Sequence, residues 1–323
     1  MKSFLHATLW WHHLNTFVLL LYYFFKTSSI IFVRNKVRPN SYLIPDKGGE
    51  ENNTMQVISF MAIKGGVGKT TMAFQFAKFL QTQNKKVLML DLDAQKSLTG
   101  TFENKNFNFN GKSTVADIFK KPSVGLIETK AQKNISVIPS TSNLEEVADQ
   151  LASRPNKELL LFMWFIKNAK ELNKKYDYVI VDLPPTWNLL TKNGVAVADK
   201  IISPMEPSRF GYESHTKVLQ SVGTLQDEVI DPLSGKSYIT AKVFFLGNRI
   251  KHNTNSSHEF LAALKNLKNV IGIVPEKELV NASMLAKKGI LEYATESDKL
   301  REQKQFIELI QNVFKKIEKE GNN

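Results

Sequence analysis

The amino-acid sequence predicts an α/β protein whose mostly parallel sheet is flanked by helices on both faces. Beyond residue 54, short runs of apolar and often β-branched residues recur along the chain. Continuous runs of this kind are typical of strands that are buried on both faces. Segments with apolar residues at helical spacing lie between the runs. Because strands and helices alternate, we expect parallel strands with helices packed on each side of them.

Seven apolar runs are the predicted strands, and three apolar stripes mark predicted helices. The predicted strands are Val57–Met61, Val87–Leu90, Ile135–Ile138, Tyr178–Val181, Lys200–Ile202, Val243–Leu246 and Val270–Val274. The helical stripes repeat every three or four residues. They consist of Ala73, Phe76, Ala77 and Leu80, then Leu159, Phe162, Met163 and Ile166, and finally Phe306, Ile310, Val313 and Ile317.

Residues 1–54 do not continue this pattern and form a separate extension. Their apolar run, Phe17–Phe25, is shorter than the roughly 20 residues that a membrane-spanning helix needs. Lys2 is the only early charge and no small-residue cleavage site follows, so the start is unlike a secretory signal. The polar stretch Asn40–Thr54 indicates a linker. We expect translation to begin at Met55, and a membrane anchor within the extension is the alternative.

The composition excludes several classes of protein. Of the 323 residues, 42% are hydrophobic and 23% are charged, which is typical of a globular protein rather than a disordered or collagenous chain. The chain has no cysteine, which excludes disulfides, thiolate zinc sites, cysteine nucleophiles and cysteine-bound iron–sulfur clusters. The formal net charge of +12 favours a polyanionic partner: nucleic acid, an anionic membrane surface or nucleotide phosphates.

The first predicted strand leads directly into a glycine-rich segment that precedes a helix. The segment consists of Lys64, Gly65, Gly66, Val67, Gly68, Lys69, Thr70 and Thr71. Glycines let successive backbone N–H groups turn toward phosphate oxygens, and the start of the helix adds partial positive charge. Lys69 is expected to bind the β- and γ-phosphates, and the Thr70 hydroxyl to ligate Mg²⁺. Ile63 stands where the usual phosphate-binding loop has its first glycine, so this loop is a variant.

Further polar residues follow other predicted strands. Asp93 comes just after a strand, where a carboxylate can orient and polarise an attacking water, although the position equally suits a helix cap. Asp91 is either structural or close to Mg²⁺. Asp182 ends a strand and is predicted to hold Mg²⁺ through water. Asn248 offers a donor and an acceptor that suit the adenine edge, and an ordinary turn asparagine is the alternative.

Four motifs in this order resemble the deviant Walker A family of ATPases, which includes the ParA-type and MinD-type proteins. Lys64–Thr71 resembles the family's phosphate-binding loop with its additional lysine. Val87–Gln95 resembles the switch I segment D-x-D-P-Q, with alanine in place of proline. Tyr176–Pro185 resembles the Walker B and switch II segment, and Phe245–Arg249 resembles the strand end with the base-reading asparagine. The resemblance covers almost all of Met55–Asn323.

The resemblance implies a P-loop NTPase domain over residues 55–323 that uses ATP and Mg²⁺. In this family a lysine at the position of Lys64 reaches across a dimer interface to the partner's ATP. This implies an ATP-sandwich homodimer, with Lys64 joining Lys69 and Asp93 among the catalytic residues. A solvated lysine is the alternative. The resemblance also implies that Asn248 and the loop Pro204–Pro207 lie beside the base.

Three functions are compatible with this resemblance: a DNA partition ATPase, a MinD-like membrane-surface ATPase and a nucleotide-gated scaffold. The basic charge and the switch I segment favour the partition type. The C-terminal apolar stripe is expected to pack on the sheet, as amphipathic helices usually do. The partition type implies non-specific DNA binding, a ParB-like centromere-binding partner, and a cytoplasmic, nucleoid-associated location in bacteria. Arg301 and Lys304 are the predicted DNA contacts, and a solvated helix face is the alternative.

Overall fold

The computed structural model describes residues 55–251 and 254–320, in which an eight-stranded sheet lies between two layers of helices. The strands are β1 (Gln56–Phe60), β2 (Val87–Asp91), β3 (Thr129–Gln132), β4 (Ile135–Ile138), β5 (Tyr178–Asp182), β6 (Lys200–Met205), β7 (Lys242–Ile250) and β8 (Val270–Pro275). Their order across the sheet is β3-β4-β2-β5-β1-β6-β7-β8. Neighbouring strands run parallel except for the antiparallel pair β3–β4 at one edge. The predicted α/β class is confirmed.

Helices connect most of the strands and cover the sheet. They are α1 (Lys69–Thr82), α2 (Ser97–Phe102), α3 (Val115–Lys120), α4 (Leu144–Gln150), α5 (Leu160–Lys175), α6 (Leu189–Ala196), α7 (Arg209–Glu228), α8 (Asn255–Lys265), α9 (Glu278–Leu285), α10 (Ile290–Glu296) and α11 (Lys304–Lys319). A short 3₁₀ helix, Lys157–Leu159, precedes α5. Helices α3 to α8 build the core on one face of the sheet, and α1, α2, α9, α10 and α11 build the core on the other.

Helices α1 and α11 pack against each other through aromatic rings. The ring centroid of Phe314 in α11 lies 5.6 Å from that of Phe76 and 5.4 Å from that of Phe79, both in α1. The stripe predicted for α11 is buried in full, as expected for a helix that packs on the sheet. Its apolar face is therefore already occupied by the protein core.

The buried side chain of Lys200, the first residue of β6, binds the end of α11 through hydrogen bonds. Its Nζ donates to the backbone oxygens of Ile317 at 2.9 Å and Glu318 at 2.8 Å, and to Oε1 of Gln56 at 3.2 Å. These bonds satisfy carbonyls at the end of a helix, where a positive charge is favoured. Burial lowers the pKa of Lys200 to about 8. The end of α11 therefore lies at the amino edge of the sheet, where β6 starts. The beginning of α11 points toward the opposite edge, where the parallel strands end.

Three details differ from the sequence prediction. Strand β3 was missed because Thr129–Gln132 has no apolar run, and it needs none as a partly exposed edge strand that pairs on one side. The stripe predicted for α5 was correct only in part. Phe162 is buried and Leu159 and Ile166 pack against the core, but Met163 is half-buried and the buried face also includes Trp164 and Phe165. Every residue from 159 to 166 is apolar, so periodicity could not select the buried face. The predicted base loop also begins later, because Pro204 belongs to β6.

The extension at residues 1–54 lies outside the described residues, and so do the alternatives that concern it. Within the described ranges, no helix combines the length and the apolar character that crossing a membrane requires.

The register of the sheet brings the predicted site residues to one edge. Phe60 of β1 pairs with Asp182 of β5, and Asp182 pairs in turn with Asp91 of β2. Strands β6 and β7 run in the same direction and end at the same edge. The loops that follow these strands therefore meet above the carboxyl end of β1, where ligands bind in open α/β sheets.

Candidate nucleotide site

The glycine-rich segment forms a tight loop between β1 and α1. Gly66 and Gly68 have φ angles of +83° and +86°, a conformation that costs glycine little and other residues much more. Gly68 is also the N-cap of α1, which begins at Lys69. Val67 is buried, and Thr71 lies half-buried in the first turn of α1. The loop and the helix start together provide backbone N–H groups and a partial positive charge for an anion.

Asp182 is the buried centre of the polar cluster below this loop. Its Oδ1 accepts a hydrogen bond from Lys69 Nζ at 2.7 Å, and its Oδ2 accepts one from Thr70 Oγ1 at 2.7 Å. The carboxylate is completely buried and the Lys69 side chain is only 8% exposed. Burial raises the pKa of Asp182, while Lys69 and Thr70 oppose the rise and the nearby charge of Asp93 adds to it.

The donor atoms in this cluster fit Mg²⁺. The Thr70 hydroxyl and the Asp182 carboxylate are hard oxygen ligands, and they already lie within hydrogen-bonding distance of each other. Mg²⁺ usually takes one or two such protein ligands and keeps waters and phosphate oxygens for the remainder. The cluster also contains a cation, Lys69, for phosphate oxygens.

Asp91 and Asp93 occupy different positions near Asp182. Asp91 is completely buried, and burial together with the charge of Asp182 raises its pKa to about 7. Asp93 lies in the turn after β2, where its Oδ1 accepts from the backbone N–H of Gln95 at 3.0 Å. The N-cap of α2 is Lys96, so the helix-cap alternative does not describe Asp93. Asp93 is 8% exposed and faces the same edge as Asp182.

Two residues near the end of β7 donate hydrogen bonds to the backbone of the glycine-rich loop. Asn248 is buried, and its Nδ2 donates to the backbone oxygen of Val67 at 2.8 Å. Arg249 has a φ of +55° and donates from Nη1 to the backbone oxygen of Gly66. Asn248 thus contacts the loop that was predicted to bind phosphate, whereas its contact with a base stays a prediction.

Lys64 forms an ion pair with Glu206 of the same chain. Its side chain is 40% exposed, and Glu206 lies at the beginning of the loop after β6. Pro207 follows Glu206 and is half-buried. Lys64 is therefore neither buried in the phosphate site nor free in solvent.

Comparison with known proteins establishes the family. A family model described as "AAA domain" matches residues 55–234. The chromosome-partitioning ATPase Soj of Treponema pallidum is 29% identical over 181 residues, which are 55% of this chain and 68% of that protein. The chromosome partitioning protein ParA of Myxococcus xanthus is 29% identical over 168 residues, which are 52% of this chain and 58% of that protein. The chain belongs to the ParA-type ATPases.

Solved structures agree with the ParA-type assignment. A plasmid partition protein from Borrelia burgdorferi B31, bound to AMPPNP, is 26% identical with a TM-score of 0.61, and the match covers 77% of this chain and 99% of that one. Apo McdA from Cyanothece has a TM-score of 0.65 at 23% identity, over 81% of this chain and 99% of that one, which supports the fold alone. The resemblance found in the four sequence motifs is confirmed.

Sequence reasoning on this ParA-type chain did not assign roles to Glu206 and Arg249. Arg249 stands inside the fourth motif, and Glu206 stands in the loop that the resemblance placed beside the base. Glu206, however, is 142 positions away from Lys64, and no sequence pattern connects them. Arg249 follows Asn248, and neither its left-handed backbone nor its hydrogen bond to Gly66 is signalled by a sequence pattern.

The two predicted DNA contacts of this ParA-type ATPase are exposed residues around the beginning of α11. Arg301 is exposed in the turn before α11, and Lys304 is exposed at the beginning of that helix. Lys304 Nζ lies 3.9 Å from Oε1 of Glu308, a loose surface pair of little energetic weight. The beginning of α11 points toward the carboxyl edge of the sheet, on the same side as the glycine-rich loop.

Proposed function

We propose that this ParA-type protein is a Mg²⁺-dependent ATPase for DNA partition, which dimerises around ATP and binds DNA in the ATP-bound state. The position of Asp182 carries the proposal. A buried carboxylate needs paired partners, and here they are a lysine and a hydroxyl at the base of a glycine-rich loop. This is the set of groups that Mg²⁺ and a nucleoside triphosphate require.

The residues of the cluster take distinct roles in this proposal. The backbone from Gly65 to Thr71 and the Nζ of Lys69 would hold the phosphates. Thr70 would ligate Mg²⁺ directly and Asp182 through water. When bound, Mg²⁺ neutralises charge on the phosphate oxygens. Asp93 would orient and polarise the attacking water, because its carboxylate lies in the turn directly beside Asp182.

The nucleotide base and the dimer involve residues around the rim of the cluster. Asn248 and Pro207 stand at the ends of neighbouring strands, and we propose that they lie beside adenine. Lys64 would reach the partner subunit's ATP, which requires it to leave Glu206. The side chain is partly exposed and only one ion pair holds it, so such an exchange of partners costs little.

DNA binding is the part of the proposal that follows from charge. The net charge of +12 favours a polyanion, and Arg301 and Lys304 are both exposed. Phosphate contacts of this kind carry no sequence information, so binding would be non-specific. We further propose a ParB-like partner that stimulates hydrolysis and a nucleoid-associated location in the bacterial cytoplasm.

The burial of α11 favours this function over the MinD-like alternative among the described residues. A terminal amphipathic helix binds a membrane through its apolar face. In α11 that face packs against α1 and β8, so it is not available to lipid. A membrane role through residues 1–54 falls outside the described part of the chain and remains the alternative proposal.

ATP hydrolysis by the purified full chain is the first test. We expect turnover that requires Mg²⁺, and we expect Lys69→Ala to abolish ATP binding because it removes the main cation from the phosphates. Lys86→Ala, an exposed lysine beyond the end of α1, is the matched control. Near-normal ATP affinity in the Lys69 variant would overturn the phosphate-binding assignment.

Retention on DNA tests the second half of the proposal. We expect arbitrary duplexes to bind in ATP and not in ADP, with log K falling against log salt at a slope of about −0.9 per neutralised phosphate. Replacement of Arg301 and Lys304 by glutamate should weaken binding on all sequences and leave ATP affinity unchanged. The same change at Lys167 and Lys170, exposed on α5 across the sheet, controls for net charge. Equal affinity in both nucleotide states, or binding to liposomes only, would contradict the proposal.

A further inference from the structure

Asp91 is the buried centre of a hydrogen-bond cluster around the segment that carries Asp93. Its Oδ1 accepts from the backbone N–H of Asp93 at 3.1 Å. Its Oδ2 accepts from the backbone N–H of Thr99 at 2.8 Å and from the Thr99 hydroxyl at 2.7 Å. Thr99 lies in the first turn of α2. One carboxylate therefore holds the beginning and the end of residues 93–99 together.

A residue that follows β4 fixes the direction of the hydrogen bond between the Thr99 hydroxyl and Asp91. The backbone N–H of Ser140, just after β4, donates to the Thr99 hydroxyl at 3.0 Å. Because an N–H group can only donate, the hydroxyl accepts there and gives its own hydrogen to Asp91. The ends of β2 and β4 thus fix Thr99 from two sides. All of these side chains are buried, so water does not easily replace the bonds.

The other end of α2 is fastened as well. Lys287, in the turn between α9 and α10, donates from Nζ to the backbone oxygens of Gly100, at 2.8 Å, and Glu103. The turn before α2 is closed by a bond from Lys96 N to the backbone oxygen of Asp93 at 2.9 Å. Hydrogen bonds therefore connect the short helix and the turn before it, and the position of Asp93 depends on the position of α2.

We propose that Asp91 and Thr99 are positioning residues that seat α2 and so hold Asp93 in its place for ATP hydrolysis. The inference rests on the proposed function, because it takes Asp93 as the residue that orients the attacking water. It assigns to Asp91 a role through Thr99 rather than a contact with nucleotide. A displacement of about 1 Å at a catalytic group can cost roughly a hundredfold in rate, so a small shift of α2 is enough.

Thr99→Val tests the inference, since valine keeps the shape and removes the hydroxyl. We expect kcat to fall at least about tenfold while KM for ATP changes less than about twofold, because phosphate binding does not involve Thr99. Thr99→Ser keeps the hydroxyl and should restore kcat. Ser140→Ala is the matched control: its hydroxyl is buried in the same cluster but has no hydrogen-bond partner within the described residues.

Amide hydrogen exchange of the nucleotide-free chain provides a readout that does not depend on activity. We expect faster exchange in residues 92–100 for Thr99→Val, and unchanged exchange there for Thr99→Ser and Ser140→Ala. An unchanged kcat in an active protein, or equal losses in kcat and ATP affinity, would refute the positioning role alone. Absence of hydrolysis by the unmodified chain would instead refute the proposed function, and the inference with it.

Discussion

Three glycines of the nucleotide loop form a graded series in which backbone strain and steric overlap can be separated. Gly65 has no left-handed φ, and a Cβ added there meets no atom within 4 Å. Gly66 has a φ of +83° and equally open surroundings. Gly68 has a φ of +86°, and a Cβ there would lie 2.4 Å from Asn248 Nδ2. Alanine therefore adds neither strain nor a clash at Gly65. It adds backbone strain alone at Gly66, and strain together with a clash at Gly68.

The expected loss of stability follows from these differences. Gly65→Ala should change the free energy of unfolding by less than about 0.5 kcal/mol, as at an ordinary surface site. Gly66→Ala should cost about 1–2 kcal/mol for a left-handed non-glycine residue. Gly68→Ala carries the same strain and also displaces Asn248, whose bond to Val67 is worth about 0.5–1.5 kcal/mol net. Its total should be about 2–3 kcal/mol.

Urea denaturation followed by circular dichroism measures the series, with the midpoint shifting at constant slope. The double variant Gly68→Ala with Asn248→Ala separates the clash, because removal of the amide leaves only the strain. We expect the double variant to lose about 1 kcal/mol less than the sum of the single variants. Equal stability for the Gly66 and Gly68 variants, or strict additivity in the double variant, would refute the clash with Asn248.

Three further predictions concern catalysis, assembly and pH. The Asp93→Ala variant should bind ATP normally but not hydrolyse it, because only the attacking water loses its partner. If a phosphate-release assay shows unchanged turnover, the catalytic role lies with another residue. Lys64→Ala should bind ATP and remain a monomer by light scattering, and a persistent ATP dimer would contradict its role across the interface. Lys200→Met should alter the pH dependence of stability. The pKa of Lys200 is lowered from 10.5 to about 8 in the folded protein, so the unfolded chain binds more protons between these values. Native stability should therefore rise from pH 8 to pH 10 in the unmodified protein and less so in the variant; parallel curves from urea titrations would exclude this linkage.

Local sequence patterns predicted the features that a single segment determines. The glycine-rich loop, the buried strands and the apolar stripe of α11 each follow from neighbouring residues, because backbone freedom and periodicity are local properties. Lys69, Thr70 and Asp182 were also placed together, since parallel strands end at one edge.

Contacts between distant segments could not be read from the sequence. The pairing of Lys64 with Glu206 and that of Arg249 with the backbone of Gly66 depend on how loops approach one another after folding. The role of Asp91 was left open for the same reason: its main partner, Thr99, is placed by the short helix α2 rather than by strand geometry. An edge strand such as β3 likewise depends on its neighbour and not on its own side chains.

The aromatic contact between α1 and α11 has a consequence for biosynthesis. Helix α1 is made early and α11 after all the other described elements, so Phe76 and Phe79 lack their partner Phe314 until α11 has emerged from the ribosome. Lys200 likewise waits for the carbonyls of Ile317 and Glu318. During elongation, one side of the sheet carries an uncovered aromatic surface. A nascent chain that stalls before residue 314 is therefore a target for chaperones, whereas a chain that includes α11 has covered that surface.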